Sequence, residues 1–417
     1  MYTAETRTLT IGYLQVGPFG RHGICQYGQK MAQEFAGRRD VKVIERNLEL
    51  TGNLIEDYRL LRATAKAFAS ADLVHTQVSI WSTGTWGKGF RALWNLAAFR
   101  LMCPAPLMIT LHDLNSLPDL PPPSVRSIVV ELSKGPLRPA VRLVRQAARG
   151  RLKLCQLFRP LWDFDALTPF LLARWAAAQA QAIFVLTGVE KTVLETLGIT
   201  SAAVHIPHFV GPSTPSPTTF DGKRVVVAGH MFHGKGHDLV VEAMVHAPSI
   251  RVVFVGGDSL KARVDQLMDF ARLKGVRDRL TVTGYLPDEE YAQQLAAGDL
   301  AVCAFSSNKS ASGSIPALIA ADCPILASAI PVVEEYNDIV PGAVHTFAPS
   351  TAKVLAERIE ELLAMPRRDL TKGHEELRAR LSIARMVDRH LDKYRLAVMA
   401  DRNARGLQLQ REGSTVA

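Results

Sequence analysis

The stretch RVVVAGHMFHGKGHDLVVEAM, residues 224–244, decides how the second half of the chain folds. It begins with a valine-rich run typical of a buried parallel strand and ends with apolar residues at helical spacing. Between these parts lie Gly229, Gly234, Lys235 and Gly236, which predict a tight strand-to-helix turn. Amides at such a turn, together with the dipole of the following helix, favour bound phosphate. A structural turn without a ligand is the alternative.

Similar valine-rich runs alternate with helical patterns along most of the chain. This alternation predicts an α/β protein whose parallel sheets carry helices on both faces. A length of 417 residues favours two domains over one. We therefore predict two Rossmann-like, doubly wound domains that face each other across a cleft.

The domain boundaries follow from composition. Residues 211–220 are rich in proline, serine and threonine and are the predicted linker. The N-terminal domain is predicted over residues 1–210, with a basic helical insertion at about 119–175, and the C-terminal domain over 221–375. Residues 376–417 are predicted to form a helix that returns to the N-terminal domain, followed by a tail.

Composition excludes several classes of protein. Hydrophobic residues make up 47% of the chain and charged residues 21%, which is typical of a globular protein. Charges or prolines interrupt every apolar run before it reaches about 18 residues, so no transmembrane helix is expected. The polar N-terminus does not resemble a signal peptide. The five cysteines have neither paired nor metal-binding spacing, which favours a reducing, cytoplasmic location and no metal.

The net charge of +9 is concentrated in one segment. Residues 124–160 contain nine Lys or Arg and a single acidic residue, Glu131. Four arginines there recur at helical spacing and would share one face of a helix: Arg138, Arg142, Arg145 and Arg149. The pattern predicts attachment to an anionic membrane surface on the cytoplasmic side, with a solvated helix as the alternative. No nucleic acid is expected, because interleaved aromatic residues are missing.

A second glycine-rich loop follows the first predicted strand. The segment VGPFGRHGICQYGQKMAQEF, residues 16–35, brings Gly17, Gly20 and Gly23 to the start of a helix. These glycines would let backbone amides approach an anion or a sugar oxygen, although a tight turn explains them equally well. Their spacing is not that of the dinucleotide fingerprint.

Several motifs occur in a particular order along the chain. In the second half GHMFHGKGHDL is followed by VVFVGGD, VTGYLPDEEY, DLAVCAF and ADCPILAS, and in the first half TLHDL precedes IFVLTGVEKTVL and VHIPH. This order resembles that of the family-4 retaining glycosyltransferases, which have the GT-B fold. The resemblance covers most of residues 8–365. It implies an N-terminal domain on the acceptor side and a C-terminal domain that binds a nucleotide sugar.

The resemblance also assigns roles in the second half. Lys235 resembles the lysine that neutralises the donor diphosphate, and Gly229 resembles the glycine of the same loop. Gly257 belongs to the glycine pair after the next strand, and Tyr285 occupies the turn that meets the nucleotide base. The arginine that usually stands five residues before the lysine is replaced by His230.

In the first half, the resemblance places His112 near the donor sugar, with Asp113 beside it. A core histidine after a buried strand is the alternative for His112. Gly17 and Gly20 would face the donor phosphate and the acceptor.

The sequence departs from the family at its glutamate pair, which normally binds the donor sugar and the ribose. The corresponding residues are Lys309 and Ala317. The nearby segment SASGS offers hydroxyls and amides at the mouth of a helix instead, from Ser312, Gly313 and Ser314.

The resemblance predicts a hexosyltransferase-type enzyme of polysaccharide biosynthesis. It would move a sugar from a nucleotide-sugar donor to a hydroxyl of a glycan, a lipid-linked saccharide or a small molecule, with retention of configuration. Neither a protein nucleophile nor a divalent metal or cofactor is implied. Two alternatives remain open: a catalytically silent GT-B subunit that binds glycan or a partner enzyme, and a sugar-nucleotide epimerase.

Overall fold

The computed structural model describes residues 7–17, 23–79, 86–87, 90–112, 114, 173–199, 203–215, 222–231, 234–257, 262–306, 313–348 and 351–414. The chain divides into two compact units. The first unit comprises Met1–Ile206 and Val387–Ala417, and the second comprises Pro207–Met386.

The first unit leaves off at Ile206 rather than at residue 210, and the second extends to Met386 rather than to residue 375. Val210, the last residue of the predicted N-terminal domain, forms a β-bridge with Ser382 and lies in the second unit. Leu377 and Leu381 are buried in the core of that unit, so the chain stays with it beyond residue 375. Residues 387–417 are part of the first unit.

The first unit contains a parallel six-stranded sheet with the strand order β2-β1-β3-β4-β5-β6. Its strands are β1 (Leu9–Val16), β2 (Val41–Leu48), β3 (Leu73–Ser79), β4 (Leu107–His112), β5 (Ala180–Val185) and β6 (Ala203–His205). Its helices are α1 (Gly23–Ala36), α2 (Leu54–Ala67), α3 (Phe90–Met102) and α4 (Gly188–Thr196), with a further helical segment at residues 173–179.

The second unit also contains a parallel six-stranded sheet, with the order β12-β11-β10-β7-β8-β9. Its strands are β7 (Arg224–Ala228), β8 (Arg251–Val255), β9 (Leu280–Val282), β10 (Leu300–Cys303), β11 (Ile325–Ser328) and β12 (His345–Phe347). Its helices are α5 (His237–His246), α6 (Ala262–Leu273), α7 (Asp288–Ala296), α8 (Ser314–Ala320), α9 (Pro331–Ile339), α10 (Ala352–Leu363), α11 (Arg367–Leu370) and α12 (His374–Arg380). The last helix, α13 (Ile383–Ser414), belongs to the first unit from Val387 onward.

The valine-rich runs of the sequence form strands of the structure, such as β7 and β8, whereas no strand was predicted at β12. The valine-rich runs are buried along nearly their whole length, as strands covered on both faces require.

Within the part of the chain that the structure describes, no helix is both long and apolar enough to cross a membrane.

The two faces of the first sheet differ in chemistry. One face packs apolar side chains such as Leu14, Val74 and Ile109 into the core of the unit. On the other face, Tyr13 pairs in register with His75, and Gln77 pairs with Thr110. Because side chains alternate along a strand, these buried polar residues form one layer. Helix α1 covers part of this layer, with the rings of Phe35 and Tyr13 6.1 Å apart.

Candidate active site

The loop between β7 and α5 is shaped by glycines. Gly229, Gly234 and Gly236 have φ angles of 103°, 92° and 73°, in the left-handed region that other residues rarely adopt. At Gly236 a Cβ atom would lie 1.9 Å from the carbonyl oxygen of Ala304. Only glycine fits there, so the loop passes directly against the end of β10.

Lys235 points into the protein rather than toward solvent. Its exposed fraction is 9%, and its Nζ donates to Oγ of Ser314 over 3.2 Å. The Nζ also lies 5.0 Å from the ring centre of Phe305, as a cation–π contact requires. Burial lowers the pKa of Lys235 to about 8, with the Cys303 thiol acting in the opposite direction. The amine therefore remains largely protonated at neutral pH and forms a buried positive charge.

The remaining glycines of the site bring backbone segments into contact around this charge. A Cβ atom at Gly229 would lie 2.8 Å from Oγ of Ser314 and 3.8 Å from Nζ of Lys235. A Cβ atom at Gly256 would lie 2.4 Å from the carbonyl oxygen of Gly229. The ends of β7 and β8 thus approach each other more closely than side chains would allow.

Tyr285 and Gly257 lie next to each other after the ends of β8 and β9. Gly256 and Gly284 form a β-bridge, and a Cβ atom at Gly257 would lie 3.1 Å from the backbone nitrogen of Tyr285. The exposed fraction of Tyr285 is 40%, so its ring is accessible to a planar ligand.

The position of this cluster in the sheet is informative. Strand β7 lies between β10 and β8. From β7 the chain continues to β8 and β9 on one side of the sheet, and it then crosses to β10, β11 and β12 on the other side. In open α/β sheets ligands bind at the carboxyl ends of the strands where the order reverses. Lys235, Ser314 and Gly229 all lie at that end.

His112 is the last residue of β4 in the first unit and has an exposed fraction of 6%. Its Nε2 lies 2.6 Å from Oε1 of Gln77, and its ring contacts the ring of Tyr27 edge-on at 5.6 Å. Gly17 follows β1 with a φ angle of 146° and donates its N–H to the carbonyl of Leu48. Gly17 and His112 therefore lie at the carboxyl ends of two strands, β1 and β4, that are separated by β3.

Of the other predicted site residues, the structure describes Gly313 but not the remaining ones. Gly313 directly precedes α8, where a Cβ atom would lie 3.9 Å from Nε2 of His208. Several predicted residues lie outside the described part of the chain: Gly20, Asp113, Ser312, Arg138, Arg142, Arg145 and Arg149. Their roles stay predictions.

The positions that depart from the family pattern also differ in their surroundings. Ala317 lies within α8 and is half-buried, while His230 is exposed. Lys309 lies outside the described residues.

Among described residues, no group of three or more His, Cys, Asp or Glu side chains is arranged to hold a metal ion.

Sequence reasoning missed the residues that surround His112. His75 and Gln77 lie two residues apart in β3, so they share one face of a strand that is buried on both faces, and such a polar pair was the available signal. Tyr394 contacts His75 from a position more than three hundred residues away, and no local pattern indicates that contact.

The second unit resembles a known protein family. Residues 216–383 match the family model described as Glycosyl transferases group 1. No curated protein matches the sequence.

Solved structures with the same fold are numerous. Sucrose-phosphate synthase from Thermosynechococcus elongatus is 17% identical, with a TM-score of 0.64, 94% of this chain covered and 100% of that chain. HepE from Anabaena, solved in complex with UDP, is 14% identical, with a TM-score of 0.62 and coverages of 92% and 99%. An α,α-trehalose-phosphate synthase (UDP-forming) from Burkholderia vietnamiensis is 11% identical, with a TM-score of 0.61 and coverages of 95% and 98%. The chain thus has the two Rossmann-like domains of the GT-B fold, and the family match over its second unit supports a glycosyltransferase.

Proposed function

We propose that this protein transfers a hexosyl group from a nucleotide-sugar donor to a hydroxyl of a glycan, a lipid-linked saccharide or a small molecule, with retention of configuration. One observation carries the proposal: the buried ammonium of Lys235 is held by Ser314 at the carboxyl ends of the central strands. A nucleoside diphosphate is the leaving group that such a charge suits best.

The physical reason is the charge that develops during transfer. As the bond between the sugar and the diphosphate breaks, negative charge grows on the phosphate oxygens. An ammonium at about 4 Å attracts a unit charge by about 4 kcal/mol at an effective dielectric constant of about 20. The N-terminus of α5 contributes about 1 kcal/mol more. These groups need neither a metal nor a protein nucleophile.

The relatives of known structure support a nucleotide sugar as the donor. HepE from Anabaena was solved with UDP and with UDP-glucose, and the Burkholderia enzyme is described as UDP-forming. In our proposal Tyr285 meets the base, Gly229 and Gly257 let the backbone approach the diphosphate, and His112 lies near the donor sugar with Asp113. Gly17 and Gly20 face the donor phosphate and the acceptor.

One observation favours a second candidate, a catalytically silent subunit that binds glycan or a partner enzyme. Ala317 replaces a carboxylate that the family uses to hold its donor, and it lies in α8 close to Ser314. Loss of one such buried hydrogen bond costs roughly 1–3 kcal/mol, which weakens transfer without abolishing it. In our proposal the hydroxyl of Ser314 and the amides of residues 312–314 take over part of that role.

Turnover of nucleotide sugars separates the two candidates. We expect the wild-type protein to release a nucleoside diphosphate from at least one sugar nucleotide in a panel that varies base and sugar. Lys235→Met should abolish this release, whereas Lys353→Met should preserve it, because the Lys353 side chain is 71% exposed on a surface helix. Binding without turnover in the wild type would support the silent subunit. Equal turnover in both variants would contradict the proposed site.

We also propose that the protein is attached to the inner face of the membrane through the four arginines of the basic segment. A lipid-linked acceptor would be reached from that surface. Each basic residue near an anionic surface contributes about 1 kcal/mol. Flotation with vesicles that contain phosphatidylserine should be lost when Arg138, Arg142, Arg145 and Arg149 are changed to glutamate. Unchanged flotation would reject this location.

A further inference from the structure

His112 is held by a side chain that has no assigned role. Its Nε2 lies 2.6 Å from Oε1 of Gln77, and Gln77 has an exposed fraction of 2%. A contact this short between a ring nitrogen and an amide oxygen is a hydrogen bond, so one ring nitrogen of His112 is already bonded to the protein.

The orientation of the Gln77 amide follows from its other neighbours. Its Nε2 lies 2.9 Å from the hydroxyl oxygen of Tyr13 and 3.8 Å from the sulfur of Met31. A thioether sulfur accepts hydrogen bonds and cannot donate them. The end of Gln77 that faces Met31 is therefore the NH2 group, and the end that faces His112 is the carbonyl oxygen. Nε2 of His112 must then carry the proton.

His75 is also held in one tautomer. Nε2 of Gln77 lies 3.2 Å from Nε2 of His75, and the hydroxyl of Thr110 lies 3.1 Å from the same ring nitrogen. That nitrogen accepts, so the proton of the neutral ring is on Nδ1, which contacts the hydroxyl of Tyr394. Burial keeps the pKa of His75 well below its usual value, with smaller effects from His390 and His112, so the neutral ring is the stable form.

The backbone of Gln77 is fixed as well. The indole nitrogen of Trp86 donates to the carbonyl oxygen of Gln77 over 3.2 Å, and Asn95 donates to the carbonyl oxygen of Trp86 over 3.0 Å. Trp86 is fully buried with a φ angle of 61°, a conformation that a bulky residue adopts only where its surroundings impose it. Through its indole nitrogen, this strained residue holds the backbone of Gln77 near the end of β3.

We propose that Gln77 is a positioning residue that keeps His112 in the Nε2-protonated tautomer and in one ring orientation. His75 and Tyr394 hold Gln77 in turn, so helix α13 contributes to the site through this chain of hydrogen bonds. Neutral imidazole has one nitrogen that donates a hydrogen bond and one that accepts. A hydrogen bond that fixes the proton on one nitrogen therefore makes the other nitrogen an acceptor. The catalytic consequence rests on the proposed function, in which His112 faces the donor sugar, but the tautomer itself does not.

The tautomer can be measured directly. Two-bond proton–nitrogen correlation spectra of protein labelled with ¹⁵N-histidine distinguish the two neutral tautomers, and His112→Gln identifies the His112 signals by their loss. We expect the Nε2-protonated pattern in the wild type and in Gln77→Glu, which keeps an acceptor oxygen. Gln77→Met should give the other tautomer or a mixture. An Nδ1-protonated His112 in the wild type, or an unchanged pattern in Gln77→Met, would overturn the proposal.

Activity gives a second readout. With the nucleotide sugar identified above, Gln77→Met should lower kcat by about 10- to 100-fold, the usual effect of removing an outer partner of a functional histidine. It should change KM much less. In a His112→Ala background the same change should cause no further loss, because Gln77 acts only through His112. An additional loss in that background would contradict the inference.

Controls separate this inference from the proposed function. Gln293→Met changes an exposed glutamine of α7 and should leave both readouts unchanged. Tyr394→Phe removes only one hydroxyl and should shift the spectrum in the same direction as Gln77→Met, even if the latter variant is unstable. Full activity of His112→Ala would refute the proposed role of His112, while the spectra would still decide the role of Gln77.

Discussion

Nζ of Lys235 lies 3.2 Å from Oγ of Ser314, and that hydroxyl donates its own proton to the carbonyl oxygen of Ala228 over 2.9 Å. The serine therefore presents lone pairs to the ammonium and fixes its direction. Three segments meet in this contact: the end of β7, the loop that follows it, and the start of α8.

We predict that Ser314→Ala weakens the binding of the nucleoside diphosphate by about tenfold, since a hydrogen bond to a charged group contributes about 1.5–3 kcal/mol. Isothermal titration calorimetry measures the change. Ser382→Ala is a matched control, because the Ser382 hydroxyl also accepts a hydrogen bond within the second unit, from the backbone N–H of Arg385, but lies outside the site. Equal affinity in Ser314→Ala and the wild type would contradict the role given to this serine.

The pKa of Lys235 predicts a pH dependence. Burial lowers this pKa to about 8, so the ammonium that binds the diphosphate is lost as pH rises through 8. We expect affinity to be constant from pH 7 to 7.5 and to fall by up to about tenfold per pH unit above 8. In Lys235→Arg the side chain stays charged, so affinity should no longer fall. A wild-type profile that is flat to pH 9.5 would contradict this prediction.

Two glycines allow backbone strain to be separated from crowding. Gly236 and Gly275 have similar φ angles of 73° and 69°, but a Cβ atom at Gly236 meets Ala304 whereas nothing lies within 4 Å at Gly275. Gly275→Ala should lower the free energy of unfolding by about 1–2 kcal/mol through strain alone. Gly236→Ala should lower it by about 1–3 kcal/mol more through overpacking, and it should also weaken diphosphate binding. Urea unfolding curves test both, and equal losses would show that the loop yields to the added methyl group.

Asp322 predicts a loss of stability in acid. The His374 ring, whose Nδ1 lies 3.5 Å from Oδ1 of Asp322, and then Arg378, which donates to the same oxygen over 3.1 Å, lower the pKa of its carboxyl group, with burial acting in the opposite direction. A lowered pKa in the folded state stabilises the protein above the usual Asp pKa, and this contribution is lost as pH falls through the folded value. Asp322→Asn suits the same φ angle of 49°. We expect its stability deficit in urea unfolding to be clear at pH 6 and to shrink toward pH 3; a constant deficit would contradict the assignment.

The local signals of the sequence explain what could be predicted. A valine-rich run followed by glycines and a helix needs only its own residues to be recognised, and Lys235 and Gly229 lie where that pattern placed them. Ser314 was identified in the same way, from its position at the start of a helix.

The surroundings of His112 could not be predicted because they depend on distant contacts. Tyr394 meets His75 only after the chain has passed through the second unit, and its position in a helix gives no sign of this partner. Likewise, the bridge between Val210 and Ser382 moves both boundaries of the second unit, although each residue lies in an ordinary stretch of sequence. The direction of the Gln77 amide emerges only from its contact with Met31.

The central claim is that Lys235 binds the diphosphate of the donor. Calorimetric titration of UDP, GDP and ADP into the wild type and into Lys235→Met tests it most directly. We predict that at least one of these nucleotides binds the wild type and that its affinity falls by at least about tenfold in Lys235→Met, while Lys353→Met binds as the wild type does. Equal affinity in the wild type and Lys235→Met would contradict the account.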